Sequence, residues 1–235
     1  MDQFQGSRSV YVTGTARGLL DDDIATIAYD AQTGLQLWAT TTSDGSQAAE
    51  IELGPLGRGV YVTGTTDGGI GNGDYATIAY DAAAGTQLWF SAYGGPVIDQ
   101  AWAIAVAPDE SSVFVTGMYL AGEPTVAYDA ATGGQLWTAG PPDSTYWDIA
   151  VAPDGATVYE SGGRMQNGQL VLDLLAHAAA NGALLWERMC ARPGKVATNA
   201  LALALVPDGS ALFATGYEVQ DQQQGSDILT VSYST

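Results

Sequence analysis

The stretch Ala101-Trp102-Ala103-Ile104-Ala105-Val106-Ala107, closed by Pro108-Asp109 and followed by Ser112-Val113-Phe114-Val115-Thr116-Gly117, decides the fold. The first run is apolar throughout and too short for a typical helix, so it reads as a strand buried on both faces. The second, rich in β-branched and aromatic residues, reads as its hairpin partner. Pro124-Thr125-Val126-Ala127-Tyr128-Asp129 supplies a third strand, Ala130 to Gly134 a turn, and Gln135-Leu136-Trp137-Thr138 a fourth.

Outward from this copy, Val115-Thr116-Gly117 recurs as Val12-Thr13-Gly14, Val62-Thr63-Gly64, a degenerate Glu160-Ser161-Gly162, and Ala214-Thr215-Gly216, at spacings of 50, 53, 45 and 54 residues. The third-strand tyrosine returns as Tyr29, Tyr80, Tyr128 and Tyr233, and the fourth-strand tryptophan as Trp38, Trp89, Trp137 and Trp186. One four-stranded sheet cannot bury both of its faces. Radial stacking of copies solves that problem, so the expected fold is an all-β β-propeller in one domain, with approximate copies 1-45, 46-98, 99-143, 144-196 and 197-235. Alanine-rich first strands suit the crowded axis, and the tryptophans suit the wider periphery.

Met1 to Phe4 takes the place of a shortened first strand, and Thr235 falls just after the third strand of copy five. About nineteen strands are therefore expected: five four-stranded blades, the last lacking its outer strand. Its open edge at Tyr233 invites a homo-oligomer, further residues, or solvent. A longer protein with more blades is the alternative.

Seven basic against 26 acidic residues give a net charge of -19, which argues against nucleic acid and anionic membranes as partners. No apolar run reaches 18 residues, so no membrane insertion is expected. Cys190 is the sole cysteine and His177 the sole histidine, which excludes an intrachain disulfide and a histidine-rich metal site. Met1 to Arg8 has neither the basic head nor the apolar core of a signal peptide. Scarce lysine and high acidity point to an extracellular or cell-envelope protein, with the cytoplasm as the alternative. No nucleotide-binding glycine loop, Gly-x-Ser-x-Gly phrase or paired-histidine zinc motif occurs.

Val60-Tyr61-Val62-Thr63-Gly64-Thr65, Asp74 through Ala82, Gly85-Thr86-Gln87-Leu88-Trp89 and Ile104 through Asp109 resemble bacterial β-propeller repeats of the quinoprotein-like type, including those of large surface proteins. The resemblance covers essentially the whole chain and implies the fold. Its dehydrogenase branch carries a quinone cofactor with calcium on a larger, usually eight-bladed ring that some members mark with adjacent cysteines. This chain is shorter and has neither feature, so no cofactor or metal is assigned. Propellers host enzymes, scaffolds and adhesive modules alike.

Departures from the repeat are the places to look for function. Trp102 and Trp147 stand near the starts of first strands where other copies have Ala49 and Leu201; with Tyr146 and Tyr93 they make either packing between blades or a platform for sugar or peptide. Glu50 and Glu52 occupy the positions of Ala103 and Ala105, and with Asp148 would form a cation-attracting mouth. His177 replaces the tyrosine. It either fills that site with its ring hydrogen-bonded or acts as a general base oriented by Asp148, Glu160 or Asp173. Glu160 replaces the valine, read as a carboxylate near solvent or paired with Arg164 or Arg188. The acidic loops Asp21-Asp22-Asp23, Asp67 to Asp74 and Asp221 to Asp227 suit either turns or calcium.

The expected ligand-facing set is thus Trp102, Trp147, Tyr146, Glu50, Asp148 and His177, with no catalytic residue assigned. The expected function is a noncatalytic binding or scaffold propeller presenting an acidic face to a protein or glycan. A small hydrolase or lyase with its site at the axial opening, and a fragment of a longer repeat array, are the alternatives.

Overall fold

The structure, a computed structural model, describes residues 9–17, 22–43, 47–66, 73–119, 122–142, 144–191, 194–220 and 225–235. Among them are eighteen strands and no helix. The strands fall into five antiparallel units along the chain. Unit one holds β1 (Ser9–Arg17), β2 (Asp22–Asp30) and β3 (Gln36–Thr42). Unit two holds β4 (Gln47–Leu53), β5 (Gly59–Thr65), β6 (Tyr75–Asp81) and β7 (Gln87–Tyr93). Unit three holds β8 (Asp99–Val106), β9 (Ser112–Tyr119), β10 (Thr125–Asp129) and β11 (Gln135–Ala139). Unit four holds β12 (Ser144–Val151), β13 (Thr157–Gln166), β14 (Gln169–Ala178) and β15 (Leu184–Cys190). Unit five holds β16 (Ala197–Leu205), β17 (Ala211–Val219) and β18 (Ser226–Ser234). The strand expected at Met1 to Phe4 lies outside the described residues, as do most of the three acidic loops.

Within a unit, strands adjacent in sequence are adjacent in the sheet. Two single-pair links, Thr145 with Met118 and Leu170 with Ala197, join units three, four and five into one hydrogen-bonded sheet. First strands pack on one another in succession, β4 on β8, β8 on β12 and β12 on β16, while β3, β7, β11 and β15 hold the far edges. Alanine-rich strands therefore run along the inside and the Leu-Trp strands along the outside. Among the described residues no extensive contact joins unit five to unit one, and the sheets do not close.

The recurring glycine of the Val-Thr-Gly phrase has a specific cause. Each of β4, β8, β12 and β16 carries a β-bulge opposite that glycine, at Ala49, Trp102, Trp147 and Leu201. The bulge presses main chain against main chain. A β-carbon on Gly64, Gly117, Gly162 or Gly216 would overlap the carbonyl oxygen of Gln47, Gln100, Thr145 or Asn199.

Apolar clusters fill the spaces between consecutive units. Ile24 meets Val60, Val62 and Ile78; Tyr61 and Trp89 meet Ile104 and Val115; Phe114 and Trp137 meet Ile149 and Val158; Leu172 and Leu174 meet Ala214 and Leu229. The outer tryptophans add a repeated polar contact. Trp38, Trp89 and Trp137 donate through Nε1 to the carbonyls of Ala82, Ala130 and Ala179 in the following unit, at 3.0, 2.8 and 2.9 Å. Each ring lies on the turn glycine of that unit, Gly85, Gly133 or Gly182, whose positive φ and missing side chain the contact requires.

Candidate functional site

The four bulges place their residues at equivalent points along the inner strands, which is why two positions 45 residues apart in sequence meet in space. Trp102 and Trp147 stack face to face, with ring centroids 3.9 Å apart and planes 10° from parallel. Trp147 remains 37% exposed and Leu201, one unit further on, 44% exposed. The rim formed by the bulges is thus aromatic and apolar on the side of units three to five. Such a surface buries apolar area against a partner at low entropic cost, because its rings are already held.

The carboxylates below this rim are engaged with main chain. Glu50 Oε2 accepts from the amide of Ile104 on β8 at 2.8 Å, and Asp148 Oδ2 accepts from Leu203 on β16 at 2.7 Å. Asp148 Oδ1 also accepts from Ile149. Inner strands are sheet edges with unpaired amides, and a carboxylate from the preceding unit caps them. Burial raises the pKa of Glu50 and Asp148, with Asp148 adding to the rise of Glu50, and lifts Glu52 to about 7. Glu50 and Glu52 line a cavity of about 320 Å³ together with Ile104, Ala105 and Ile149.

Unit four holds a second polar group of a different kind. Glu160 is 0% exposed and accepts from Thr125 Oγ1 of unit three at 2.7 Å. It neither reaches solvent nor pairs with Arg164 or Arg188, which corrects the sequence expectation. Burial raises its pKa to about 8, so the acid is mostly protonated at neutral pH. His177 is 2% exposed; its Nδ1 bonds the Gly182 carbonyl at 2.9 Å, and its Nε2 stands 3.8 Å from Glu160 Oε1. With Nδ1 as donor, Nε2 is an acceptor facing the acid. Burial lowers the His177 pKa, keeping the ring neutral. The pair can exchange a proton, but both partners lie behind packed side chains.

Of the expected set, the structure brings together Trp102 with Trp147, and places Glu50 and Asp148 beneath them. Tyr146 and His177 lie elsewhere. Tyr146 is fully buried and donates its hydroxyl to Asp173 Oδ2 at 2.8 Å. Tyr93, expected beside the tryptophans, packs instead on Tyr75 and Tyr119. Asp148 and Asp173 make their bonds to main chain and to Tyr146, not to His177. The donor set does not fit the quinone and calcium of the dehydrogenase branch: the inner-strand carboxylates are committed to amides, and no group of three metal-ligating side chains occurs among the described residues.

Sequence reasoning missed Glu123 and Thr138, which border a cavity of about 350 Å³ between units three and four. The 45-residue spacing, the shortest in the chain, was the available signal.

Comparison with solved structures gives hydrazine synthase of Kuenenia stuttgartiensis, with a TM-score of 0.70 at 14% identity, over 91% of this chain and 59% of that one. A putative 6-phosphogluconolactonase of Bacteroides uniformis gives a TM-score of 0.62 at 15% identity, over 99% of this chain and 70% of that one. At these identities the likeness is one of fold, and the chain spans little more than half the length of the hydrazine synthase chain. No curated protein sequence matches. The family described as outer membrane protein assembly factor BamB matches residues 21–232. That match covers most of the chain, and the chain belongs to this PQQ-like β-propeller family.

Proposed function

We propose that the chain is a noncatalytic protein-binding propeller, with five blades in an open arc, the last lacking its outer strand, and that it works in the cell envelope or outside the cell. The stacked Trp102 and Trp147 on the inner rim carry this reading: a pre-ordered aromatic pair whose half-buried Trp102 backs the exposed Trp147, with exposed Leu201 at the following bulge, has the chemistry of an interface anchor. Support comes also from the carboxylates, whose amide partners account for them without a reacting substrate. The family description names an assembly factor, which is in keeping with a protein partner. Among the described residues no helix is long and apolar enough to cross a membrane.

A photo-crosslinking residue at position 147, introduced in the producing cells, tests the reading. A discrete protein adduct is expected from position 147, absent from the same probe at Leu136 on the outer strand and lost when Trp102→Ala is added. No adduct from position 147, or equal adducts from both positions, would sink it. A second reading, an arc within a larger ring of such repeats, is favoured by the incomplete coverage of both structural neighbours.

A further inference from the structure

Unit three is the shortest of the three four-stranded units, and the shortening falls on its outer half. β10 and β11 have five residues each where β6 and β7 have seven, while β13 and β14 opposite them have ten. The uncovered part of unit four is the part that breaks the repeat with charge. Between them lies the cavity of about 350 Å³, bordered by Glu123, Thr138, Arg164, His177, Leu184 and Glu187.

The polar groups around it are unevenly matched. Arg164 is neutralised from within, Nη2 on Glu187 Oε1 at 2.5 Å and Nε 3.8 Å from Asp173 Oδ2. Glu123 accepts from the Thr138 hydroxyl, but no cation pairs with it among the described residues. His177 Nε2 faces the buried Glu160 carboxyl at 3.8 Å. What remains is the Glu123 carboxylate, without a cation among the described residues, beside the apolar wall of Leu184. That combination suits a side chain with a methylene stem and a cationic head.

We infer that this cavity receives a basic side chain, lysine or arginine, from a protein partner, an inference that rests on the scaffold reading above. With 26 acidic residues against seven basic, the chain also attracts a basic partner at long range.

The single histidine makes the test specific, since its ring signals in an NMR spectrum report on this cavity alone. The probe is Nα-acetyl-lysine methylamide, and its Nε-acetylated form is the neutral control. The charged probe is expected to displace the His177 signals saturably, with half-saturation at roughly 1 mM, the scale for a fragment of few atoms. The neutral control should leave them in place. Glu123→Gln, at an exposed position that the fold does not need, should weaken binding about fivefold or more. Absence of a saturable shift, equal shifts from both compounds, or unchanged binding in the variant overturns the inference. Failure of the lysine probe while the position-147 adduct persists removes the cavity assignment alone. Binding of the probe without any adduct keeps the cavity and removes the scaffold reading.

Discussion

The interface between units two and three and the interface between units three and four use the same backbone and different chemistry. In the first, Val115 and Tyr128 face Tyr61 and Trp89. In the second, Glu160 stands where Val115 stands, His177 where Tyr128 stands, and Glu160 bonds Thr125, the counterpart of Thr77. The shorter imidazole turns back to its own turn at Gly182, and the longer carboxyl reaches Thr125 across the interface. The two replacements thus compensate each other. The lesson is that the stack is specified by glycine, bulge and tryptophan, and that side chains between units can change in pairs without moving the sheets.

The strongest way to break this comparison is to attack what the interfaces share. Gly117→Ala and Gly162→Ala each force a β-carbon into a main-chain carbonyl, and both should cost at least about 3 kcal/mol, beyond ordinary overpacking. Chemical denaturation of the two variants gives the check. If Gly162→Ala were tolerated while Gly117→Ala was not, unit four would have a backbone geometry of its own.

The next effect separates the interfaces. Val115→Glu alone places a carboxyl in the aromatic interface with no shortened ring beside it, at a cost of about 3 kcal/mol or more. Glu160→Val with His177→Tyr restores the repeat in unit four and should be neutral or stabilising by about 1–4 kcal/mol, as for other buried polar pairs exchanged for hydrocarbon. Equal destabilisation by both would show that the polar pair stabilises the native state. Each effect is read from the thermal midpoint.

Much of this architecture was legible in the sequence because it depends on periodic features. The Val-Thr-Gly glycines, the alanines of the inner strands and the outer tryptophans all recur, and each recurs for a local steric reason. The pairing of Trp102 with Trp147 was legible as equivalence, since two bulge positions in consecutive units must be neighbours. What the sequence hid depends on direction and reach. Nothing in Glu50 or Asp148 announces that a carboxylate will turn sideways onto the amide of the next unit. Likewise Glu160, one residue in an alternating strand, gives no sign in sequence of facing Thr125 across an interface.

Acidity provides a subtler probe of the polar interface. Burial raises Glu160 to about 8 and Asp173 to about 6, and at the inner strands Glu52 to about 7. A carboxyl with a higher pKa folded than unfolded holds its proton more tightly in the native state, so its contribution is complete below the unfolded value and is lost as pH rises through the folded one. His177 is shifted downward by burial and therefore opposes folding only below its ordinary 6.5. Between pH of about 6.5 and 8.5 the carboxyls act without that opposition. Stability should fall across this window by an amount on the order of a few kcal/mol. Glu160→Gln, which cannot ionise, should remove most of the slope in calorimetric midpoints. An unchanged slope would mean that the charge is relieved by rearrangement of the interface.

The smallest effect belongs to the inner edge, where both interfaces rely on the same device or do without it. Glu50 caps β8, Asp148 caps β16, and Ala103 offers β12 no equivalent, so Ile149 takes its cap from Asp148 in its own strand. Asp148→Ala therefore leaves two amides without their acceptor and should cost about 1–3 kcal/mol, because an unpaired buried donor loses its full solvation. Asp148→Asn keeps one acceptor oxygen for the two amides and turns an NH2 donor toward the other, so it should lose one of the two caps and cost less than the alanine variant. Amide hydrogen exchange at Leu203 and Ile149 distinguishes the two: fast at both amides in the alanine variant, fast at one and near wild type at the other in the asparagine variant. Equal, strong loss in both would mean that the negative charge itself is needed, which would return Asp148 to the ligands of the axial opening.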